Sequence, residues 1–291
     1  MDVDFAAAVL TPLSEAGMPA SPNGPPMPHS ALLNVMIGAA RKAARALKRD
    51  FGEVEKLQVS MKGPGNFVTA ADRRAEETLY TELAKARPGY GFLGEEGGAR
   101  EGADKTHRWI VDPLDGTTNF LHGIPQFCIS IALERDGAII AGVIYNPANE
   151  ETFVAEKGKG AFLNEQRIRV ASRRRLSDAV LACGLPHIGR GDIELGKRET
   201  AAMQDRVAGL RRFGAAALDL AWVAAGRLDG YWERDLKPWD MAAGAIMVRE
   251  AGGYVTDCDG GDDMFGKGSI AAGNETIHKE LLKTLWDVAK G

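Results

Sequence analysis

From Ser30 onward, apolar residues recur at helical spacing. Leu33, Met36, Ile37, Ala40, Ala44 and Leu47 fall on one stripe of a 3.6-residue period, which predicts an amphipathic helix. A second helix is predicted after Thr69, running to about Ala86, where Pro88-Gly89 stops it. The consecutive apolar run Trp109-Ile110-Val111 predicts a buried strand. Segments 128–134 and 139–145 flank Asp136-Gly137, a dipeptide suited to the positive φ angles of a tight hairpin turn. Short strands at 151–155, 160–163 and 167–170 would extend that hairpin into an antiparallel meander. Beyond Ser172 strands and helices alternate, with strands near 180–183, 210–213, 230–233, 253–256 and 269–272. The helices of this half are expected at 193–207, 216–225, 240–251 and 276–289.

No internal repeat and no central linker interrupts this pattern. It predicts one compact layered α/β domain over 30–291, with a meander half to about 171 and an α/β half from about 172. Residues 1–29 end in the Pro/Gly/Ser/Ala-rich run GMPASPNGPPMPH and are expected to form a flexible tail. A formal net charge of −4 gives no reason to expect direct nucleic-acid binding or attachment to an anionic membrane. The basic run Arg173-Arg174-Arg175 is local and reads as a solvated loop. No stretch is apolar enough to span a bilayer, and the N-terminus lacks the layout of a secretory signal. Cys128, Cys183 and Cys258 have no metal-ligand spacing and read as reduced thiols, which suggests a cytoplasmic protein.

The chemistry concentrates in four stretches. Asp112-Pro113-Leu114-Asp115-Gly116-Thr117-Thr118-Asn119-Phe120 follows the predicted strand at 109–111. Pro113 fixes its own φ and pushes Asp112 into an extended conformation. The turn can bring Asp115 back towards Asp112, with the Leu114 carbonyl between them. Such an all-oxygen pocket suits a hard divalent cation such as Mg²⁺. Taken alone, the spacing reads as readily as an Asp-rich turn capping a helix. Gly94-Glu95-Glu96-Gly97 leaves a short strand, Asp240 stands where a helix begins, and Asp72 lies in another helix's first turn. Each of these also has a plain capping or loop reading. Together, Glu95, Asp112, Asp115 and Asp240 would place four carboxylates at strand and helix ends. Like charges raise one another's pKa, so such a cluster stays ionised only with cations. Two metals ~3.5–4 Å apart are a known clamp for displacement at phosphorus.

The motifs GEE (94–96), DPLDGTTNF (112–120) and WDMAAGAIMVREAGG (239–253), in this order, resemble those of the inositol monophosphatase family. That family comprises Mg²⁺-dependent, Li⁺-sensitive phosphatases, and the resemblance runs from about Ser30 to the C-terminus. It implies an αβαβα sandwich of the sugar-phosphatase type, shared with fructose-1,6-bisphosphatase, and a homodimer. It implies two or three Mg²⁺ ions held by Glu95, Asp112, the Leu114 carbonyl, Asp115 and Asp240. Thr117 and Asp72 match the pair that activates the attacking water, with Glu95 and Lys62 also in catalytic positions. Lys62 would lie in a mobile loop, 61–65. The Gly116 and Thr117 amides would receive the phosphate, beside Asp115 and Asp240. The alcohol contacts map to Gly214, Ala215, Ala216 and Glu233. Glu233 can accept from vicinal hydroxyls, while Ala215 and Ala216 would form a small apolar wall. Ala215 stands where relatives often carry Ser or Thr, and Cys183 lies in a segment that bears Ser in animal members.

Two glycine patterns carry no such weight. Residues 89–94 fit GxGxxG but lead into Glu95-Glu96-Gly97-Gly98 and no helix. Residues 261–268 lack the Ser or Thr that a P-loop has after its lysine, and read as a solvated turn. The five histidines form no ligand spacing. The expected function is Mg²⁺-dependent hydrolysis of a small phosphorylated polyol, myo-inositol 1-phosphate first. Fructose 1,6-bisphosphate, histidinol phosphate and a 3′-phosphonucleotide are the alternatives within this chemistry. A regulatory role bound to the transcription machinery is the alternative from another class.

Overall fold

The structure is a computed structural model that describes residues 29–51, 59–63 and 66–290, the strand segments at 59–63 and 66–69 by their backbone alone. The expected N-terminal tail lies, up to Pro28, outside the described residues. Helix α1 (Ala31–Phe51) buries the stripe read from the sequence, Leu33 to Leu47. Strands β1 (Val59–Gly63) and β2 (Asn66–Thr69) form an antiparallel hairpin leading into α2 (Ala70–Ala86). The stretch 61–65 was expected to be a loop, but Met61, Lys62 and Gly63 belong to β1, because the backbone pairs with β2. The Lys62 side chain lies outside the described residues.

Nine short elements follow: β3 (Gly91–Gly94), β4 (Gly98–Arg100), β5 (His107–Asp115), α3 (Thr117–Leu121), β6 (Cys128–Arg135), β7 (Ala138–Asn146), β8 (Glu151–Glu156), β9 (Gly160–Leu163) and β10 (Gln166–Ile168). They build an eight-stranded sheet in the order β10-β9-β8-β7-β6-β5-β3-β4. From β5 to β10 it is the expected antiparallel meander, and only β3 and β5 run parallel. The β6–β7 turn places Asp136 at φ 50° and Gly137 at φ 78°, as its Asp-Gly sequence favours.

The second half contains β11 (Val180–Cys183), α4 (Ile193–Gln204), β12 (Gly209–Arg211), α5 (Ala216–Ala224), β13 (Gly230–Arg234), α6 (Pro238–Glu250), β14 (Tyr254–Thr256), α7 (Met264–Lys267), β15 (Ser269–Gly273) and α8 (Glu275–Lys290). Its five strands are ordered β12-β11-β13-β15-β14. Strand β11 is parallel to β12 and β13, whereas β15 is antiparallel to both its neighbours.

The layers are helix, sheet, helix, sheet, helix. The pair α1 and α2 covers the outer face of the large sheet, α5 and α6 lie between the sheets, and α4 and α8 cover the far side. Trp109, Val111, Ile131, Leu133 and Val143 pack towards α1 and α2. Ile110, Ala132, Ile144 and Phe153 pack towards α5 and α6. A strand buried on both faces needs no polar alternation, which explains the continuous apolar run at 109–111. Helix α6 is buried from Met241 to Val248 for the same reason. It lies so close to β7 that a Cβ on Gly142 would stand 2.9 Å from the Ala243 carbonyl oxygen.

Three boundaries differ from expectation. Strand β10 stops at Ile168 because the Val170 amide donates to the Ala251 carbonyl. Strand β12 stops at Arg211, since the Phe213 carbonyl accepts from Asn119 instead of a neighbouring strand. Residues 261–268, read as a solvated turn, contain α7, capped by the Asp263 carboxylate on the Gly266 amide. Lys267 within it pairs with Asp257 at 3.1 Å and Asp259 at 2.8 Å, so it is a structural lysine.

Candidate active site

Strand β5 ends in a distortion that sets the geometry. Its pairing with β6 is regular to Asp112 opposite Ser130 and resumes only at Asp115 opposite Cys128. Pro113 has no amide to offer the ladder, so the bulge falls there. Asp112 accepts from the Leu114 amide at 2.9 Å. Asp115 accepts from the Ala217 amide, in the first turn of α5, at 2.8 Å. Gly116 then reverses the chain at φ 90°. A Cβ there would lie 2.8 Å from the Gln126 carbonyl oxygen, so only glycine fits. Helix α3 starts at Thr117, and Asn119 fixes it by donating to the carbonyls of Gln126 and Phe213, each at 2.7 Å.

Helix α2 supplies the opposing wall. Asp72 and Glu76 are four residues apart and share one helix face. Thr117 Oγ1 stands 3.2 Å from Asp72 Oδ1 and 3.1 Å from the Leu114 carbonyl oxygen. One hydroxyl proton thus has two acceptors. Glu76 accepts from the amides of Glu96 at 2.8 Å and Gly97 at 2.6 Å, which pins the turn bearing Glu95 between β3 and β4. Gly97 is needed because a Cβ would stand 2.8 Å from Glu76 Oε1. Glu76 has no motif of its own; its only sequence signal is its i+4 spacing from Asp72.

Asp240 lies in the first turn of α6, where its carboxylate accepts from the Lys237 amide at 2.7 Å. Pro238 opens that helix, and Ser130 of β6 donates to the Trp239 carbonyl at 3.1 Å, docking its start beside β5. Burial and neighbouring charges act together on Asp112, Asp115 and Asp240. Burial first, then Glu95, Asp115 and Asp240, push Asp112 well above the usual carboxylate range. Burial and then Asp240 raise Asp115 to about 8. Burial raises Asp240 to about 6, with the Lys237 amide and Arg190 opposing it. Among the described residues no three Asp, Glu, His or Cys side chains stand close enough together to hold a metal ion as they are placed. The donor chemistry nonetheless fits a hard cation. All donors are oxygen, burial first and neighbouring carboxylates second raise Asp112 and Asp115, and positive charge between them would relieve that cost.

Protons stand in for that charge in the metal-free protein, which fixes a sign. The folded-state values of Asp115 and Asp240, about 8 and about 6, lie above the ordinary 3.8 of an unfolded aspartate. Their contribution to stability is therefore complete below that value and lost as pH rises through about 6 and about 8. The metal-free melting temperature is expected to fall between pH 5.5 and 8.5, and the increment from added Mg²⁺ to grow over the same interval. Calorimetric melting with and without Mg²⁺ checks this; an increment independent of pH would contradict it.

The alcohol side is built from β13 and the corner before α5. Glu233 accepts a short hydrogen bond from Tyr231, two residues away on the same strand face. Burial raises its pKa, against Tyr231, Arg190 and Arg212. Gly184 must lack a side chain because the Glu233 carboxyl occupies the space its Cβ would take. Gly214 has φ 81° and turns the chain into α5. The expected apolar wall is not presented to solvent: Ala215 is fully buried and Ala216 nearly so. Ala215 is covered because its Cβ packs under Gly116, 3.2 Å from where a Cβ would stand there.

Besides Glu76, two further groups near the site carry no motif in the sequence. Asp219, inside α5, is buried with Oδ1 unbonded, and burial, Asp115 and Glu233 hold its pKa high. A lone acid in an otherwise apolar helix was its available signal. Arg190 belongs to a glycine-flanked loop with no periodic signal. A cavity of about 480 Å³ lies on the opposite face of β13, beside Trp232 and Arg234. Both cations lining it are paired with acids, Arg234 with Glu199 at 2.8 Å and Lys267 as above.

The sequence model described as the inositol monophosphatase family matches residues 29–290. An inositol-1-monophosphatase of Mesorhizobium japonicum is 61% identical over 259 residues, 89% of this chain and 97% of that protein. The Nus factor SuhB of Pseudomonas aeruginosa is 44% identical, covering 87% of this chain and 95% of its own. Among solved structures, the extragenic suppressor protein suhB of Bartonella henselae superimposes with a TM-score of 0.86 at 58% identity, covering 88% of this chain and 98% of that one. The chain belongs to the inositol monophosphatase family.

Proposed function

We propose that this phosphatase of the inositol monophosphatase family hydrolyses myo-inositol 1-phosphate to myo-inositol and phosphate, with Mg²⁺ as cofactor. The observation that carries the reading is the group of buried carboxyls at Asp112, Asp115 and Asp240, each raised first by burial, beside a Thr117 hydroxyl within hydrogen-bond reach of Asp72. Glu95, Asp112, the Leu114 carbonyl, Asp115 and Asp240 would hold two or three ions. Those ions supply charge neutralisation for the phosphate and for the departing alkoxide. Thr117 and Asp72 orient the attacking water, in line with the bond to the alcohol oxygen. Asp72 and the Leu114 carbonyl both lie within reach of the Thr117 hydroxyl; were that carbonyl to hold a cation, Asp72 would remain as the acceptor that orients the hydroxyl. The Gly116 and Thr117 amides receive phosphate oxygens, and Glu233 accepts from ring hydroxyls. Lys62 is placed with the catalytic group by family resemblance alone. The same resemblance suggests a homodimer and sensitivity to Li⁺, and the three free cysteines suggest a cytoplasmic location.

The experiment is phosphate release from myo-inositol 1-phosphate, fructose 1,6-bisphosphate, histidinol phosphate and 3′-phosphoadenosine 5′-phosphate. Activity is expected to vanish with EDTA, return with Mg²⁺, and favour the inositol ester. Full turnover in chelator would sink the metal reading, and a preference for the nucleotide would move the substrate. The second reading is an additional regulatory role at the transcription machinery; in its favour stands the similarity to a protein named a Nus factor.

A further inference from the structure

Residues 184–192 form a tight loop over β13. His187 and Arg190 exchange both backbone hydrogen bonds, at 3.0 and 2.9 Å, and Gly189 and Gly191 flank Arg190 at φ 80° and 78°. The loop cannot move away from the strand without losing two contacts. Arg190 donates from Nε and Nη2 to the Asp235 carbonyl, at 3.2 and 2.7 Å. Gly191 sits so close that a Cβ would lie 2.7 Å from Asp235 Oδ2. The guanidinium is thereby held beside the site, with Nη2 4.0 Å from Glu233 Oε1. That separation is too long for a hydrogen bond. Its charge also reaches Asp240. The Arg190 side chain is about two-fifths exposed, and Nη1 makes no hydrogen bond among the described residues.

We propose that Arg190 is a substrate-binding residue that, with Glu233, reads a vicinal diol on the alcohol half of the substrate. The inference rests on the reading above that a polyol phosphate is the substrate. Its chemistry is complementary. An ionised carboxylate only accepts hydrogen bonds and a guanidinium only donates them, whereas each hydroxyl does both. Two neighbouring hydroxyls can therefore donate to Glu233 and accept from Arg190 at once. A lone carboxylate would leave hydroxyl lone pairs unsatisfied in a dry site, and a lone guanidinium would leave protons unsatisfied. Glu233 and Asp235 place negative charge at this corner and Arg212 is a second cation acting on Glu233, so a bisphosphate is the control that separates a diol from an anion.

The test compares myo-inositol 1-phosphate with cyclohexyl phosphate, the same ring without hydroxyls, and with fructose 1,6-bisphosphate, using the full-length Mg²⁺ enzyme. In Arg190→Ala, KM for the inositol ester is expected to rise roughly 10- to 100-fold, as for a lost hydrogen bond to a charged group, with kcat changed little. Cyclohexyl phosphate should change less than about 2-fold, since it offers Arg190 no partner. Glu233→Gln combined with Arg190→Ala should cost less than the product of the single losses, because one diol engages both. Equal losses on both ring esters would mean that Arg190 only packs the loop, and would overturn the proposal. A loss confined to the bisphosphate would assign the guanidinium to an anion and overturn it too. A parent enzyme that disfavours the inositol ester would refute the proposed substrate, while the ratio between the two ring esters would still report on Arg190. Unchanged melting of Arg190→Ala confirms that the fold is intact.

Discussion

Asp112→Asn is expected to lower turnover by about 10³-fold or more while leaving the metal-free fold at least as stable as the parent. Asp112 is nearly fully buried, at 2% exposure, and answers electrostatically to Glu95, Asp115 and Asp240. Its amide replacement keeps shape and a carbonyl oxygen that can still accept from the Leu114 amide. What it loses is charge. If the proposed cations supply several kcal/mol of charge stabilisation, a neutral side chain at position 112 would hold them less well and supply less of it. The same change removes a repulsive member of the metal-free cluster. At pH 8 the parent carries ionised or costly protonated acids there, and the variant carries one fewer. Activity and stability are therefore expected to move in opposite directions. Steady-state kinetics and calorimetric melting without metal check the pair. A variant that loses activity and also melts far lower would mean a folding defect, and one with parental turnover would remove Asp112 from the site.

Thr117→Ala is expected to reduce kcat roughly 10²–10⁴-fold, the range for a positioned proton-transfer group, with KM and Mg²⁺ affinity near those of the parent. The Thr117 hydroxyl lies within hydrogen-bond reach of Asp72 and of the Leu114 carbonyl, and neither contact carries the backbone of α3. That turn is held by Asn119 and by Gly116, so the truncation leaves the loop in place. Asp72→Asn should produce a loss of similar size, since an amide oxygen accepts weakly where a carboxylate stabilises a developing charge. If the two residues act as one unit, the double variant loses little more than either single one. Strict additivity in a double-mutant cycle would separate them, and parental kcat in Thr117→Ala would end the assignment.

The order of elements was legible along the chain because each carries its own periodicity or punctuation. The stripe from Leu33 to Leu47, the Asp136-Gly137 turn and the apolar run at Trp109 each correspond to an element found in place. These are local properties: helix faces, strand burial and turn chirality depend on residues a few positions apart. Family membership was legible for a related reason, because three short motifs in fixed order name the acids that must meet. How they meet was not. Asp72 and Thr117 are 45 positions apart, and Asp115 and Ala217 are 102 apart. Their contacts exist only because α2 packs on one face of the large sheet and α5 on the other. The segment around Lys62 looked like a loop because its strand pairing depends on a partner hairpin and leaves no alternation strong enough to read. Glu76, Asp219 and Arg190 carry no motif at all; each matters through what the fold places opposite it. Sequence alone thus determined which elements form, their order, and which acids the chemistry requires. The tertiary structure alone decided which backbone amides hold those acids, how far burial and mutual repulsion shift their protons, and that a guanidinium faces Glu233. Those quantities depend on distance and solvent exclusion across the layers, neither of which is written in any single stretch of chain.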